Sequence, residues 1–187
     1  MGYYDDVEKV KQYIDISKGY DGRAMVDVLC KYLKKGSSLL EIGMGPGKDL
    51  DLLSEYYLVT GSDSSQVFID YYRERKADVE LLQLDAVSLD TTKTFDCIYS
   101  NKVLQHLTID EHIESIKSQF RLLNSGGIIF HTFWYGRGEE EYGGLRFQYY
   151  DENMIESMYK KDYKILDICK YTEDELNDSM YLIARKK

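Results

Sequence analysis

Apolar residues recur along this chain with two periods, and the alternation between them predicts the architecture. Val7, Val10 and Ile14 stand at helical spacing among charges, which predicts a short, weakly amphipathic helix over 5–16. After Asp21-Gly22, residues Met25, Val28, Leu29, Tyr32 and Leu33 predict a clearer helix, closed by Lys34-Lys35-Gly36. The run Leu39-Leu40-Glu41-Ile42 reads as a strand, and Leu50, Leu52 and Leu53 carry the helix that follows. A second strand is predicted over 57–63. Ser64 or Ser65 can then cap a helix with Val67, Phe68, Tyr71 and Tyr72 on one face. Further strands are predicted over 79–84, 95–99 and 127–134. A helix between the last two opens on the capping box Thr108-x-x-Glu111 and packs through Ile113, Ile116, Phe120 and Leu123.

Strand and helix therefore alternate from residue 39 to about 134, and the strands are almost continuously apolar. That pattern belongs to a doubly wound α/β fold, a mostly parallel sheet with helices on both faces. The last third departs from it. A helix at about 151–160 precedes two strand-like runs, 163–169 and 179–184, joined by polar residues without helical period. With no crossover helix between them, they predict an antiparallel hairpin at the sheet edge, for seven strands in all. One domain spanning 1–187 is expected, with 1–20 as an N-terminal helical flap and 135–150 as a substrate-loop insertion.

Charge and composition narrow the function. The formal net charge is −9 and no long basic cluster is present, which argues against a nucleic-acid partner. Three scattered cysteines and three scattered histidines offer no metal-site spacing, so no metal is expected. The acidic start Tyr3-Tyr4-Asp5-Asp6 lacks the apolar run of a secretory signal, Asp6 stands where myristoylation wants Ser or Thr, and no segment is apolar enough to span a bilayer. The expectation is a cytoplasmic monomer or homodimer without a membrane partner.

The stretch that carries chemistry is Glu41-Ile42-Gly43-Met44-Gly45-Pro46-Gly47-Lys48, a strand end, a glycine loop and a helix start. Such a loop lets a ligand approach bare backbone. A dinucleotide loop needs Gly-x-Gly-x-x-Gly, but Lys48 holds the third glycine's place, and no Gly-Lys-Ser/Thr makes a P-loop. Asp63 lies twenty residues after Gly43, at a strand end, where an acid accepts ribose hydroxyls.

These residues resemble the class I S-adenosylmethionine-dependent methyltransferases, the small-molecule type in particular. Glu41-x-Gly43-x-Gly45-x-Gly47 looks like the family's first motif, Asp63 like its ribose-binding acid, and Leu84-Asp85-Ala86 like its adenine-reading segment. The run from Phe95 to Asn101, Leu122–Gly127 and Asp178–Ala184 resemble its later strand segments, in the expected order. The resemblance implies a Rossmann-like methyltransferase fold binding S-adenosylmethionine. Glu41, Gly43, Gly45 and Gly47 would then lie by the methionine part, Asp63 and Ser64 by the ribose, Asp85 and Ala86 by the adenine, and Ser100 and Asn101 by the sulfonium.

Methyl transfer is an in-line displacement that needs positioning more than a catalytic triad. His106 is the candidate proton acceptor, while His131, mid-strand, reads as packing. The long connection after the fifth strand supplies Trp134, Tyr135 and Tyr142 as candidate contacts for a small-molecule acceptor. Two alternatives stay open: a non-catalytic S-adenosylmethionine-binding sensor or partner subunit, and a nicotinamide-dependent oxidoreductase.

Overall fold

The structure, a computed structural model, describes residues 2–187. Nine strands and six helices follow in the order α1 (Val7–Ile16), α2 (Arg23–Leu29), β1 (Ser38–Ile42), α3 (Lys48–Leu53), β2 (Leu58–Asp63), α4 (Gln66–Arg73) and β3 (Glu80–Gln83). Then come β4 (Phe95–Asn101), α5 (Ile109–Leu122), β5 (Leu123–Trp134), β6 (Glu139–Tyr142), β7 (Leu145–Gln148), α6 (Glu152–Tyr159), β8 (Tyr163–Tyr171) and β9 (Ser179–Lys186).

Seven strands form one sheet in the order β3-β2-β1-β4-β5-β9-β8. The first five run parallel, and β9 inserts antiparallel between β5 and β8. The expected terminal hairpin is therefore present, with its second strand inside the sheet and its first at the edge. Alternate side chains divide the sheet into two faces. Leu40, Ile42, Ile98, Ile129 and Leu182 pack with Ile116 and Leu122 of α5 and Ile155 and Tyr159 of α6. Leu39, Cys97, Ile128, Phe130 and Ile183 pack with Met25, Val26 and Leu29 of α2. On that second face Tyr99, Phe130 and Tyr181 stack across three neighbouring strands, with ring centroids 5.3 and 5.6 Å apart.

Local chemistry sets the element ends. In α5, Thr108 Oγ1 accepts the Glu111 amide and the Glu111 carboxylate accepts the Thr108 amide at 2.8 Å, completing the capping box. Ser65 rather than Ser64 caps α4, accepting the Phe68 amide. Asp96 pins strand entry: it accepts the Ser38 amide at 3.0 Å and the Asn124 side-chain amide at 2.8 Å, tying β1 and β5 to β4.

Two sequence expectations change. Helix α2 ends at Leu29, four residues early, because the chain turns at Cys30 so that Leu33 packs from a loop. Residues 135–150 fold as a β-hairpin, β6 and β7, turning through Gly143 and Gly144 at φ +61° and +85°. Every residue of β6 is exposed, so the strand carries no alternation of buried and exposed positions for the pattern to reveal.

Candidate functional site

The carboxyl ends of the parallel strands gather the predicted residues. From Gly43 to Gly47 the chain turns against β2: the Met44 amide donates to the Ser62 carbonyl at 2.9 Å and the Gly45 amide to Asp63 Oδ2 at 2.9 Å. The second Asp63 oxygen accepts the Ser65 amide at 2.9 Å, so one carboxylate fixes both loops. Two glycines are required on steric grounds. A Cβ at Gly47 would stand 2.1 Å from the Tyr72 ring, and one at Gly43 would stand 2.5 Å from Val103. Both residues have positive φ, which L side chains avoid. At Gly45 the nearest atom would be Tyr13 at 3.6 Å, so this glycine faces open space.

Two cavities of about 260 and 250 Å³ meet at this loop and share Gly43, Gly45, Tyr13, Asn101, Lys102 and His106 as walls. The first is bounded by Asp63, Ser64, Asp85, Ala86 and Tyr4. Tyr4, Tyr13 and Phe68 form an aromatic cluster over it, with centroids 5.3 to 5.8 Å apart, and Ser65 Oγ donates to the Tyr4 carbonyl at 2.5 Å. The N-terminal helix is thereby fastened over the strand ends. Asp85 is held by the Val87 and Ser88 amides, and Ala86 gives its carbonyl to Ser115 Oγ at 2.6 Å.

The second cavity is acidic at its floor. Glu41 and Asp49 are buried, and Glu41 Oε2 and Asp49 Oδ1 have no hydrogen-bond partner among the described residues. The other Asp49 oxygen accepts from Tyr99 Oη at 3.0 Å and Asn101 Nδ2 at 2.8 Å, and the same Asn101 amide reaches Tyr20 Oη. Burial raises both carboxyls above their usual range, and Asp49 raises Glu41 further. Two buried, unpaired acidic oxygens behind a glycine loop call for a cation. The α-ammonium of a methionine group supplies one, and the open side of Gly45 leaves room for its chain. The residues present fit S-adenosylmethionine.

The far wall of this cavity carries Trp134, Phe147, Gln105, His106, Lys102 and Glu173. His106 Nδ1 lies 2.8 Å from the Arg146 carbonyl, which only accepts, so Nδ1 carries the proton. Burial lowers the His106 pKa, so the ring stays neutral and Nε2 keeps its lone pair. The Lys102 ammonium stands 3.0 Å from Glu173, 2.6 Å from Ser179 Oγ and 3.2 Å from the centroid of the Trp134 ring. Burial outweighs the pull of Glu173 and lowers its pKa to about 8.

Glu41, Gly43, Gly45, Asp63, Ser64, Asp85, Ala86, Asn101, His106 and Trp134 thus come together. Four expected residues do not line either cavity. Gly47 turns toward Tyr72 and acts by letting the loop close. Ser100 points to the opposite sheet face from Asn101, where its hydroxyl meets His131 Nδ1 at 2.8 Å, and His131 Nε2 meets Gln119 at 2.7 Å. Tyr135 packs under the Lys170 ammonium at 4.1 Å, and Tyr142 stands exposed in the hairpin. Asp49, Lys102 and Glu173 line the second cavity although no motif or spacing in the sequence points to them. The nearest to a signal for Asp49 is its place as an acid in the first turn after the glycine loop.

Residues 39–127, the strand, loop and helix units that build this site, match the family model described as a methyltransferase domain. The match takes in just under half of the chain and supports placing it with the class I S-adenosylmethionine-dependent methyltransferases. Among curated relatives, it is 32% identical over 120 residues to the mouse (Mus musculus) tRNA (carboxymethyluridine(34)-5-O)-methyltransferase ALKBH8. That alignment covers 64% of this chain but 18% of the mouse protein, so the chain spans about a fifth of that relative. Two solved structures share the fold. The 1,6-didemethyltoxoflavin-N1-methyltransferase of Burkholderia thailandensis, holding S-adenosylhomocysteine, superposes with a TM-score of 0.75 at 16% identity, covering 100% of this chain and 91% of that one. The N-methyltransferase NodS of Bradyrhizobium japonicum WM9, with the same ligand, gives 0.71 at 15% identity, covering 95% and 98%.

Proposed function

We propose that the protein transfers the methyl group of S-adenosylmethionine to a small-molecule acceptor bound in the second cavity. The observation that carries this reading is the junction of the two cavities at Gly43, Gly45 and Asn101, which joins the space bounded by Asp63 and Asp85 to one walled by Trp134 and Phe147. When bound, the cofactor supplies an electrophilic sulfonium methyl. Asp63 would hold the ribose hydroxyls, Asp85 and Ala86 the adenine, and Glu41 with Asp49 the ammonium. Asn101 stands at the boundary between the cavities.

The chain's contribution is orientation and exclusion of water, worth on the order of 7–11 kcal/mol when reacting atoms are held in line. Trp134 and Phe147 flank the chamber in which the acceptor would lie. His106, neutral with Nε2 free, would take the proton that an acceptor nitrogen or hydroxyl must lose. A small acceptor is favoured over a nucleic acid by the net charge of −9 and the acids lining both cavities.

The nicotinamide alternative finds no support in a sheet whose last strand runs antiparallel between β5 and β8. Calorimetry with S-adenosylhomocysteine and with NAD tests the cofactor: the first binds and the second does not. Transfer of radiolabelled methyl to a small-molecule extract separates an enzyme from a binding-only sensor. Label remaining wholly in the cofactor would leave the sensor reading in its place.

A further inference from the structure

Lys102 is an unusual residue for its position. It is a lysine with only 13% of its side chain exposed, at the strand end that divides the two cavities, and its φ of +56° lies in the left-handed region. A side chain with a Cβ held there stores strain, which tends to gather where function requires a fixed geometry. The ammonium is held from three separate places: Trp134 in β5, Ser179 in β9 and Glu173 in the loop between β8 and β9.

The surrounding charges make Lys102 the natural landing point for an anion. Glu41, Asp49, Asp63 and Asp85 line the floor of the two cavities. The other lysine on the walls, Lys48, donates to the Lys18 carbonyl at 3.2 Å at the opposite end of the second cavity. Glu173 belongs to a loop held by the Asp178 carboxylate, which accepts the amides of Glu173, Asp174 and Glu175 at 2.8 to 2.9 Å. The Glu173 side chain is 26% exposed, and its Oε2 also accepts from Tyr171 Oη at 3.2 Å and Ser179 Oγ at 3.4 Å. Its backbone is fixed independently, so the side chain can leave Lys102 without the loop losing its shape, but the desolvated ammonium then needs another anion, which inherits the two hydroxyl donors.

We infer that the acceptor is a carboxylic acid whose carboxylate replaces Glu173 at the Lys102 ammonium, while its apolar body lies between Trp134 and Phe147. One carboxylate exchanges for another, so the buried charge stays compensated throughout. An amine acceptor would instead meet a fixed cation at the same wall. This inference rests on the methyl-transfer reading above and makes Lys102 the acceptor-anchoring residue.

The experiment is calorimetric titration of benzoate, and separately of benzylamine, into protein saturated with S-adenosylhomocysteine. Benzoate binds and benzylamine does not. K102M weakens benzoate at least about tenfold, as expected when one partner of a buried charge pair is removed. K102R, which keeps the charge, restores part of the affinity. E173Q keeps Lys102 and removes the competing anion, so it tightens benzoate several-fold and gives a readout independent of how K102M folds. Absence of benzoate binding, preference for benzylamine, or an unchanged benzoate affinity in E173Q overturns the inference. Failure of S-adenosylhomocysteine to bind the parent protein is a different result: it overturns the methyltransferase reading and this inference with it.

Discussion

The amide of Gly45 donates to Oδ2 of Asp63 at 2.9 Å, so the acid at the end of β2 shapes the glycine loop before any ligand arrives. Asp63 therefore holds the loop backbone, and in the proposed function it also presents acceptors toward the ribose. Asp63→Ala removes both. Hydrogen bonds to a charged group contribute about 1.5–3 kcal/mol, so the affinity for S-adenosylhomocysteine should fall by roughly tenfold to a hundredfold. Calorimetry reads this directly, and an unchanged affinity would show that the ribose does not lie at Asp63.

Gly45 and Gly47 should respond differently to substitution. Gly47→Ala drives a Cβ to 2.1 Å from Tyr72, which is packed against Met44, Leu50 and Ile69. The expected result is loss of stability by about 1–3 kcal/mol, seen as a lowered denaturation midpoint. The Cβ of Gly45→Val meets no atom closer than Tyr13 at 3.6 Å, and its methyl groups enter the cavities that Gly45 lines, so its main effect is to fill the cleft. Cofactor binding should vanish while the fold persists, with only the smaller cost of a side chain at positive φ. If Gly45→Val unfolds the protein and Gly47→Ala does not, the assignment of the two glycines is reversed.

His106 is testable through rate and pH together. Because Nδ1 is committed to the Arg146 carbonyl, His106→Gln removes the free Nε2 lone pair, and kcat should drop on the order of a hundredfold or more with a smaller change in KM. Burial lowers the pKa of His106, so the imidazole remains a base below the ordinary histidine range. The acid limb of the kcat profile should accordingly lie below about pH 6.5 and disappear in the variant. A profile identical in parent and variant would remove His106 from the chemistry.

Two further histidines govern acid stability. His112 sits between the hydroxyls of Tyr150 at 2.9 Å and Tyr159 at 2.8 Å, and burial lowers its pKa from 6.5 to about 3. His131, between Ser100 and Gln119, is lowered well below its ordinary value by burial and by His112. Both are neutral when folded and protonated when unfolded in acid. Their stabilising contribution is complete above pH 6.5 and is lost as pH falls, for His112 down to about 3. Over that window the free energy of unfolding should decrease by about 1.4 kcal/mol per pH unit for His112, and His131 steepens the fall below pH 6.5. Urea titrations at several pH values measure the slope, and His131→Leu should reduce it while orphaning Ser100 and Gln119.

The parallel sheet was legible in the sequence because β1, β4 and β5 are almost continuously apolar and helix and strand periods alternate, although β3 is half polar and Ile113, expected on the buried side of α5, is exposed. The terminal hairpin was legible because the link before β9 lacks any helical period. The gathering of the glycine loop and the strand-end acids Asp63 and Asp85 around one cavity was legible too, since such residues declare themselves at fixed spacing. The acceptor half was not. Lys102 and Glu173 read as ordinary surface charges, and only the packing of β5 against β9 brings them to 3.0 Å. Tyr142 attracted attention as an aromatic in a loop, yet the hairpin turns it to solvent. Ser100 and Asn101 are adjacent in the motif, yet neighbours on a strand face opposite ways. That rule alone directs Ser100 toward His131.

The aromatic and charged side of the second cavity draws on two hairpins, Phe147 from β7 and Glu173 from the link between β8 and β9, whereas the first cavity is lined by the N-terminus and the turns after the first four strands, with Leu145 of β7 shared between the two. The β6-β7 hairpin closes through its own ladder, while the β8-β9 link is sewn to the end of β5 by the Tyr135 amide donating to the Asp178 carbonyl at 2.7 Å. Exchanging the β6-β7 hairpin for that of a chain with another appetite, with Leu145 kept, should therefore shift substrate choice and leave the turns after the first four strands as they were.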